Sequence, residues 1–137
     1  MTIPSEDVQR AARSDIDQLI RRYSEAADAY DGNAFAACFA EDGTMVRGDG
    51  PHQGRATIAA MMNSQAQVSR RHVFVPPVVE FIDEHRATGR GYCLMVTKAE
   101  RTGQTILMVD YSDVYRLTEE GWRIEWRQVK PSFPADA

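Results

Sequence analysis

Apolar residues recur at Ile16, Leu19, Ile20, Tyr23, Ala27 and Tyr30, spaced by three and four. That spacing lines one side of a helix and predicts an amphipathic element over this stretch. Ser14 or Asp15 is placed to cap its start. The run Asp31-Gly32-Asn33 is placed to stop it, with Gly32 as the expected left-handed residue. The next stretch, AFAACFAED, sets Phe35 and Phe39 four apart and predicts a short second helix. GTMVRGDGPHQG reads as a short strand followed by a glycine-rich loop, and RATIAAMMNSQ as a third helix.

Beyond the third helix the pattern changes. RRHVFVPPVVEFID, RATGRGYCLMVTKAE, TILMVDYSDVYRL and WRIEWRQV are strand-like runs joined by short polar or glycine-containing links. Such spacing predicts an antiparallel meander. Pro76 and Pro77 lack a donor for the ladder and mark a bulge or edge-like kink. Helices first and a long sheet afterwards give an α+β plan, with the helices packed on one sheet face. Strands this long twist and curve strongly. The expected shape is a cone: a curved antiparallel or mixed sheet, covered by three N-terminal helices, around an apolar pocket. One domain over residues 1–137 is expected, with its core at about 10–130 and an extended tail at 131–137.

Composition narrows the class. An apolar fraction of 43% and a charged fraction of 26% are those of a globular chain. A net charge of −4 supplies no basic field for nucleic acid or an anionic membrane. Cys38 and Cys93 are far apart and form neither a disulfide framework nor a metal pair. No apolar leader or membrane-length run appears, so a cytoplasmic setting is expected.

Candidate chemistry comes from few residues. Asp28 and Asp31 fall at the end of the first helix. On a helical wheel Asp31 lies beside the apolar stripe and Asp28 well off it, so periodicity alone reads Asp28 as solvated. His72 opens an otherwise apolar strand. An imidazole at the rim of an apolar pocket, beside a carboxylate, forms a general-base pair. Alternation puts Leu107, Val109, Tyr111, Asp113 and Tyr115 on one side of their strand. A tyrosine and a carboxylate there could orient a substrate oxygen, or pair with each other at the sheet surface. Cys93 has no activating neighbour and reads as a small pocket or core residue. Alternation sets Arg127 with Arg123 and Glu125. His52 and His85 read as solvated loop residues. No GxSxG, phosphate loop, GxGxxG or metal-ligand spacing is present.

Over about residues 10–130 the chain resembles the SnoaL-like proteins of the nuclear transport factor 2-like superfamily. The stretches that carry the likeness are IDQLIRRYSEAADAYDGNAFAACFAEDGTMV, GRATIAAMM, RRHVFVPPVVEF, ATGRGYCLMV and VDYSDVYRLTEEGWRIEWRQV. Within that family it is most similar in texture to scytalone dehydratases and hexachlorocyclohexane dehydrochlorinases, cofactor-free lyases with an Asp–His dyad. The resemblance matches Asp28 and His72 to the dyad, and Arg127 to the arginine near the end of the dehydrochlorinase's last strand. It also implies that the end of the first helix lies at the cone mouth, where Asp28 can face the pocket. Ala27, Cys93 and Tyr111 depart from the scytalone dehydratase pattern. Tyr23 would match the oxyanion tyrosine of the ketosteroid isomerases, but Arg47 stands near the place of their base.

These implications add up to a cofactor-free lyase, dehydratase or isomerase acting on a small apolar, cyclic molecule. His72 would take a proton and Asp28 would orient it, with Tyr23, Cys93, Tyr111, Asp113 and Arg127 as substrate contacts and no metal. The alternative is a binding protein of the same fold without chemistry. Apolar Tyr92, Leu94 and Val96 on the opposite sheet face suggest that a second copy covers it, as a homodimer.

Overall fold

The computed structural model describes residues 2–99 and 103–133. Of the tail expected at 131–137, Pro131 still belongs to the last strand, while residues 134–137, like residues 100–102, lie outside the described residues.

The first helix, α1 (Glu6–Ala29), begins well before the expected caps. Ser5 is its N-cap and accepts from the Val8 N–H, while Glu6 and Asp7 fill the first turn, where the helix dipole favours acids. The apolar stripe predicts the buried side correctly: Ile16, Leu19, Ile20 and Tyr23 are all in the core. Each Ile or Leu so buried stabilises the fold by roughly 1.5–3 kcal/mol.

The left-handed cap is Tyr30 (φ 54°, ψ 33°), and Gly32 instead opens α2 (Gly32–Ala37). A side chain at Gly32 would sit 2.6 Å from the Ala59 carbonyl oxygen, so glycine is needed for close helix packing. The strain at Tyr30 is held in place by its hydroxyl, which accepts from the Val68 N–H at 3.0 Å, and by Arg70 stacked on its ring.

The second helix stops at Ala37, because Phe39 begins a strand instead. Phe39 pairs with Ile124 in β7 (Gly121–Pro131), so β1 (Phe39–Arg47) joins the sheet in parallel. The expected glycine-rich loop is a hairpin, with β2 (Gly50–Gln53) antiparallel to β1. Then α3 (Arg55–Asn63) follows as the pattern indicates.

The remaining strands are β3 (Arg70–Phe74), β4 (Val78–Phe81), β5 (Arg86–Ala99) and β6 (Gly103–Thr118). Val75-Pro76-Pro77 separates β3 from β4, and both pair with β5. Pro77 packs over Gly91, where an added Cβ would touch the Pro77 Cα at 3.4 Å. The sheet order is β2-β1-β7-β6-β5-β3, antiparallel except at β1–β7. It is therefore a curved, unclosed mixed sheet with three helices over its inner face, an α+β architecture.

One irregularity positions the site. Val114 pairs with Trp126, but Tyr115 pairs with Ile124, so Glu125 is an extra residue in β7. This β-bulge reverses the alternation beyond it. Trp122 and Ile124 face inward before the bulge, and Arg127 faces inward after it. The expectation that Arg127 shares a face with Arg123 and Glu125 is thereby corrected. Glu125 points outward and is held by Arg86 at 2.6 Å and Arg116 at 3.0 Å.

Candidate active site

Asp28 occupies the last turn of α1. A carboxylate there opposes the helix dipole, so a local rule is broken. The offset comes from β3, whose His72 N–H donates to Asp28 Oδ1 at 3.0 Å. The His72 ring adds a bond from Nδ1 to the same carboxylate at 2.6 Å. The wheel reading of Asp28 as solvated is corrected: its side chain is 15% exposed and that of His72 is 11%. Arg70 caps the same helix end by donating to the Ala27 carbonyl through Nε at 3.2 Å and through Nη2.

Both the carboxylate and the Nδ1 contact fix the histidine's tautomer. An ionised carboxylate only accepts, so Nδ1 carries the proton and Nε2 keeps its lone pair. Burial pushes the His72 pKa below its ordinary value, and Arg70 and Arg127 act in the same sense. Asp28 opposes them by hydrogen bond and charge, but burial prevails. The ring is therefore neutral at pH 7, and among the described residues Nε2 has no partner.

His72 lines a cavity of about 190 Å³. Phe35, Met45, Met61, Met62, Val109 and Val129 supply apolar wall. Tyr23 and Tyr111 also line it, edge to face at 6.1 Å between centroids. Burial raises both phenol pKa values, Tyr111 well above 10, so both stay protonated and can donate. Arg47, Gln65 and Arg70, each half-buried, also line it. Four lining methionines, Met45, Met61, Met62 and Met95, give this wall an adaptable shape.

Arg127 and Asp113 lie behind that lining, 1% and 4% exposed. Their contact is a two-pronged ion pair, Nε to Oδ1 and Nη2 to Oδ2, both at 2.7 Å. The Tyr115 hydroxyl donates to the same carboxylate, so Asp113 pairs inside the core and not at the sheet surface. The guanidinium sits 3.8 Å from the Tyr111 ring centroid and 4.5 Å from that of Tyr23. Its Nη1 is buried without a hydrogen-bond partner among the described residues. Cys93 is also buried behind the lining, and burial raises its thiol pKa. Asp31 is elsewhere: it caps α2 by accepting from the Ala34 N–H. His52 lies in β2, not in a loop, and contacts Asp49 at 2.9 Å. His85 is an exposed turn residue, as the sequence suggests.

A larger open groove of about 960 Å³ is lined by Arg55, Arg116, Asp42 and Glu120 among others. Its arginines are already paired, Arg55 with Glu120 at 2.7 Å and Arg116 with Asp42. Among the described residues no three His, Cys, Asp or Glu side chains gather as a metal site. Nor is any described helix long and apolar enough to cross a membrane.

Residues 8–128 match the family described as SnoaL-like domain. The chain belongs to the SnoaL-like family. Its fold is similar to that of a protein of unknown function from Mycobacterium tuberculosis, with 25% identity and a TM-score of 0.88, covering 99% of this chain and 80% of that one. A candidate scytalone dehydratase from Novosphingobium aromaticivorans is 18% identical, with a TM-score of 0.84 over 97% of this chain and 92% of that one. A type 3 hexachlorocyclohexane dehydrochlorinase from Novosphingobium barchaimii is 16% identical, with a TM-score of 0.82 over 94% and 92%. No curated protein matches the sequence.

Sequence reading of this SnoaL-like chain did not single out Arg70 or Gln65, and it noted Arg47 only as a mismatch. A signal was present for both arginines. Arg70 is two residues before His72, and Arg47 two after Met45, so each shares a strand face with a cavity residue.

Proposed function

We propose that this SnoaL-like protein is a cofactor-free lyase or isomerase that removes a proton from carbon in a small ring-sized molecule. The observation that carries this reading is the 2.6 Å contact of His72 Nδ1 with Asp28 in a residue that lines the cavity, which leaves Nε2 free to act as the base. His72 Nε2 takes the proton, and Asp28 stabilises the imidazolium that forms. The electron pair of the broken C–H bond moves to the neighbouring carbon. In an elimination it forms a double bond as the leaving group departs with its own bonding pair. In an isomerisation His72 returns the proton to another carbon. Tyr23 and Tyr111, both held protonated, donate to the oxygen where charge develops. Arg127 behind their rings favours that charge, and Asp113 holds Arg127 in place.

Similarity in fold to a dehydrochlorinase and a candidate dehydratase supports the reaction class. The test is solvent-deuterium incorporation into, or elimination from, a panel of cyclic ketones, alcohols and chlorides. His72→Ala should lower the rate about 10²–10⁴-fold. Unchanged turnover in that variant would remove His72 from the chemistry.

A second reading, a binding protein, is favoured by the buried ion pair of Arg127 and Asp113, which firms the cavity floor without needing chemistry. Retention of a ligand through native mass spectrometry, with no exchange or elimination on prolonged incubation, would select it. We also propose a homodimer through the outer sheet face. Val73, Tyr92 and Ile106 are exposed there by 53%, 47% and 63%. Such a patch is unusual on a monomer. Monomer mass by light scattering would refute the dimer.

A further inference from the structure

We propose that the natural ligand carries an anionic group, a carboxylate or an acidic enol or phenol, recognised by Arg47 and Arg70 in the lining of the His72 cavity. This rests on the reading that the cavity is the ligand site and names the class of molecule it takes.

The argument starts from charge. The chain is acidic overall, with 20 Asp and Glu against 16 Lys and Arg. The cavity lining reverses that balance: it includes Arg47 and Arg70 and no carboxylate. Two carboxylates lie just behind it, and both are engaged. Asp28 accepts from the backbone and ring of His72, and Asp113 is bound by Arg127. With His72 neutral, the site keeps one net positive charge.

The two arginines are also placed together. Arg47 Nη1 contacts the Met61 sulfur, and Gln65 Nε2 donates to that sulfur at 3.3 Å. Arg70 Nη1 donates to Gln65 Oε1 at 3.3 Å. The guanidiniums therefore flank the C-terminal end of α3 in the same cavity lining. Among the described residues neither makes a salt bridge. Arg70 has a structural partner in the Ala27 carbonyl, and helix-end carbonyls offset only about half a charge. Arg47 has no comparable partner. The carboxylate whose field reaches it, Asp49, is exposed and already bonded to His52 at 2.9 Å. Cations that share a partly desolvated cavity lining concentrate and orient anions.

Size limits the rest of the molecule. An apolar cavity of ~150 Å³ accepts benzene. At about 190 Å³ this one suits a single substituted ring. The ring would lie among the methionines and Phe35, with its anionic group toward Arg47 and Arg70. Its reacting carbon would face His72.

The test uses 3-methylbenzoate and its neutral isostere 3-methylbenzamide, titrated calorimetrically into the intact protein at pH 7 and low salt. The acid should bind about ten-fold tighter, the lower end for hydrogen bonds to charged groups. Arg47→Gln should abolish most of that preference, as should Arg70→Gln if that variant folds. The acid, and not the amide, should raise the His72 pKa in imidazole NMR titrations, since an anion in the cavity favours the imidazolium. Equal binding of the two, no binding by either, a preference kept in Arg47→Gln, or an unmoved His72 would each overturn the proposal. Equal binding with His72-dependent proton exchange would leave the lyase reading intact. A charge preference without such exchange would do the reverse.

Discussion

Asp28 accepts two hydrogen bonds from His72, one from its ring and one from its backbone, across 44 residues of chain. The backbone bond sets the register of β3 against the end of α1, and the ring bond sets the tautomer. One carboxylate thus fixes both where the imidazole sits and which nitrogen is free.

Replacing that carboxylate separates the two roles. In Asp28→Asn the amide oxygen can still accept from the backbone, but the charge that supports the imidazolium is lost. We expect the fold to persist and proton-transfer activity to fall at least about 10²-fold. The His72 pKa should drop further, because the influences that raise it are removed. Imidazole titration by NMR reads that shift, and a rise would contradict the assignment.

Activity should depend on pH with a defined sign. The base must be neutral, and burial lowers its pKa beneath the ordinary value of about 6.5. The rate should therefore climb with pH across the acidic range and be level by pH 7. Stability follows the same direction. The unfolded chain takes up the proton first, so acidification below about 6.5 favours unfolding until the folded-state pKa is reached. A rate profile with its midpoint above 7 would be inconsistent with this environment.

The ion pair of Arg127 with Asp113 should be costly to break from one side. Arg127→Met leaves a buried, uncompensated carboxylate, and about 3–5 kcal/mol of stability should be lost in denaturant titrations. The triple variant Arg127→Met, Asp113→Leu, Tyr115→Phe removes every polar member and should recover most of that loss. Recovery of stability without recovery of activity would separate the cluster's structural role from its electrostatic one.

Gly89 offers a test that substitutes no polar side chain. Its absent side chain makes room for Tyr115, whose ring would lie 2.5 Å from an added Cβ. Gly89→Ala should displace Tyr115 from Asp113 and cost about 1–3 kcal/mol, the range for overpacking. Thermal unfolding measures the cost. An unchanged midpoint would mean the sheet yields there.

Much of this arrangement is visible in the residues themselves. The stripe from Ile16 to Tyr30 marks the buried side of α1, because a core-facing helix repeats every three to four positions. Tyr111, Asp113 and Tyr115 share the inner face of β6 by simple alternation. Phe35 and Phe39 mislead, since a four-residue spacing fits a helix, whereas tertiary pairing with Ile124 draws Phe39 into β1. Asp28 misleads in another way: its place off the stripe is real, and only β3 crossing the helix end makes it interior. No local signal announces the extra residue at Glu125. A bulge is defined by the register of its partner strand, which the sequence of one strand does not contain.

That extra residue has a consequence for how the family can change. Every position in β7 beyond Glu125 owes its facing to a single unit of chain length. Losing one residue there would exchange Arg127 and its neighbour between interior and solvent and turn Val129 out of the cavity wall, without substituting any side chain. A comparison column by column would record such an event as a harmless gap. In three dimensions it would rewrite the polarity beneath the cavity floor.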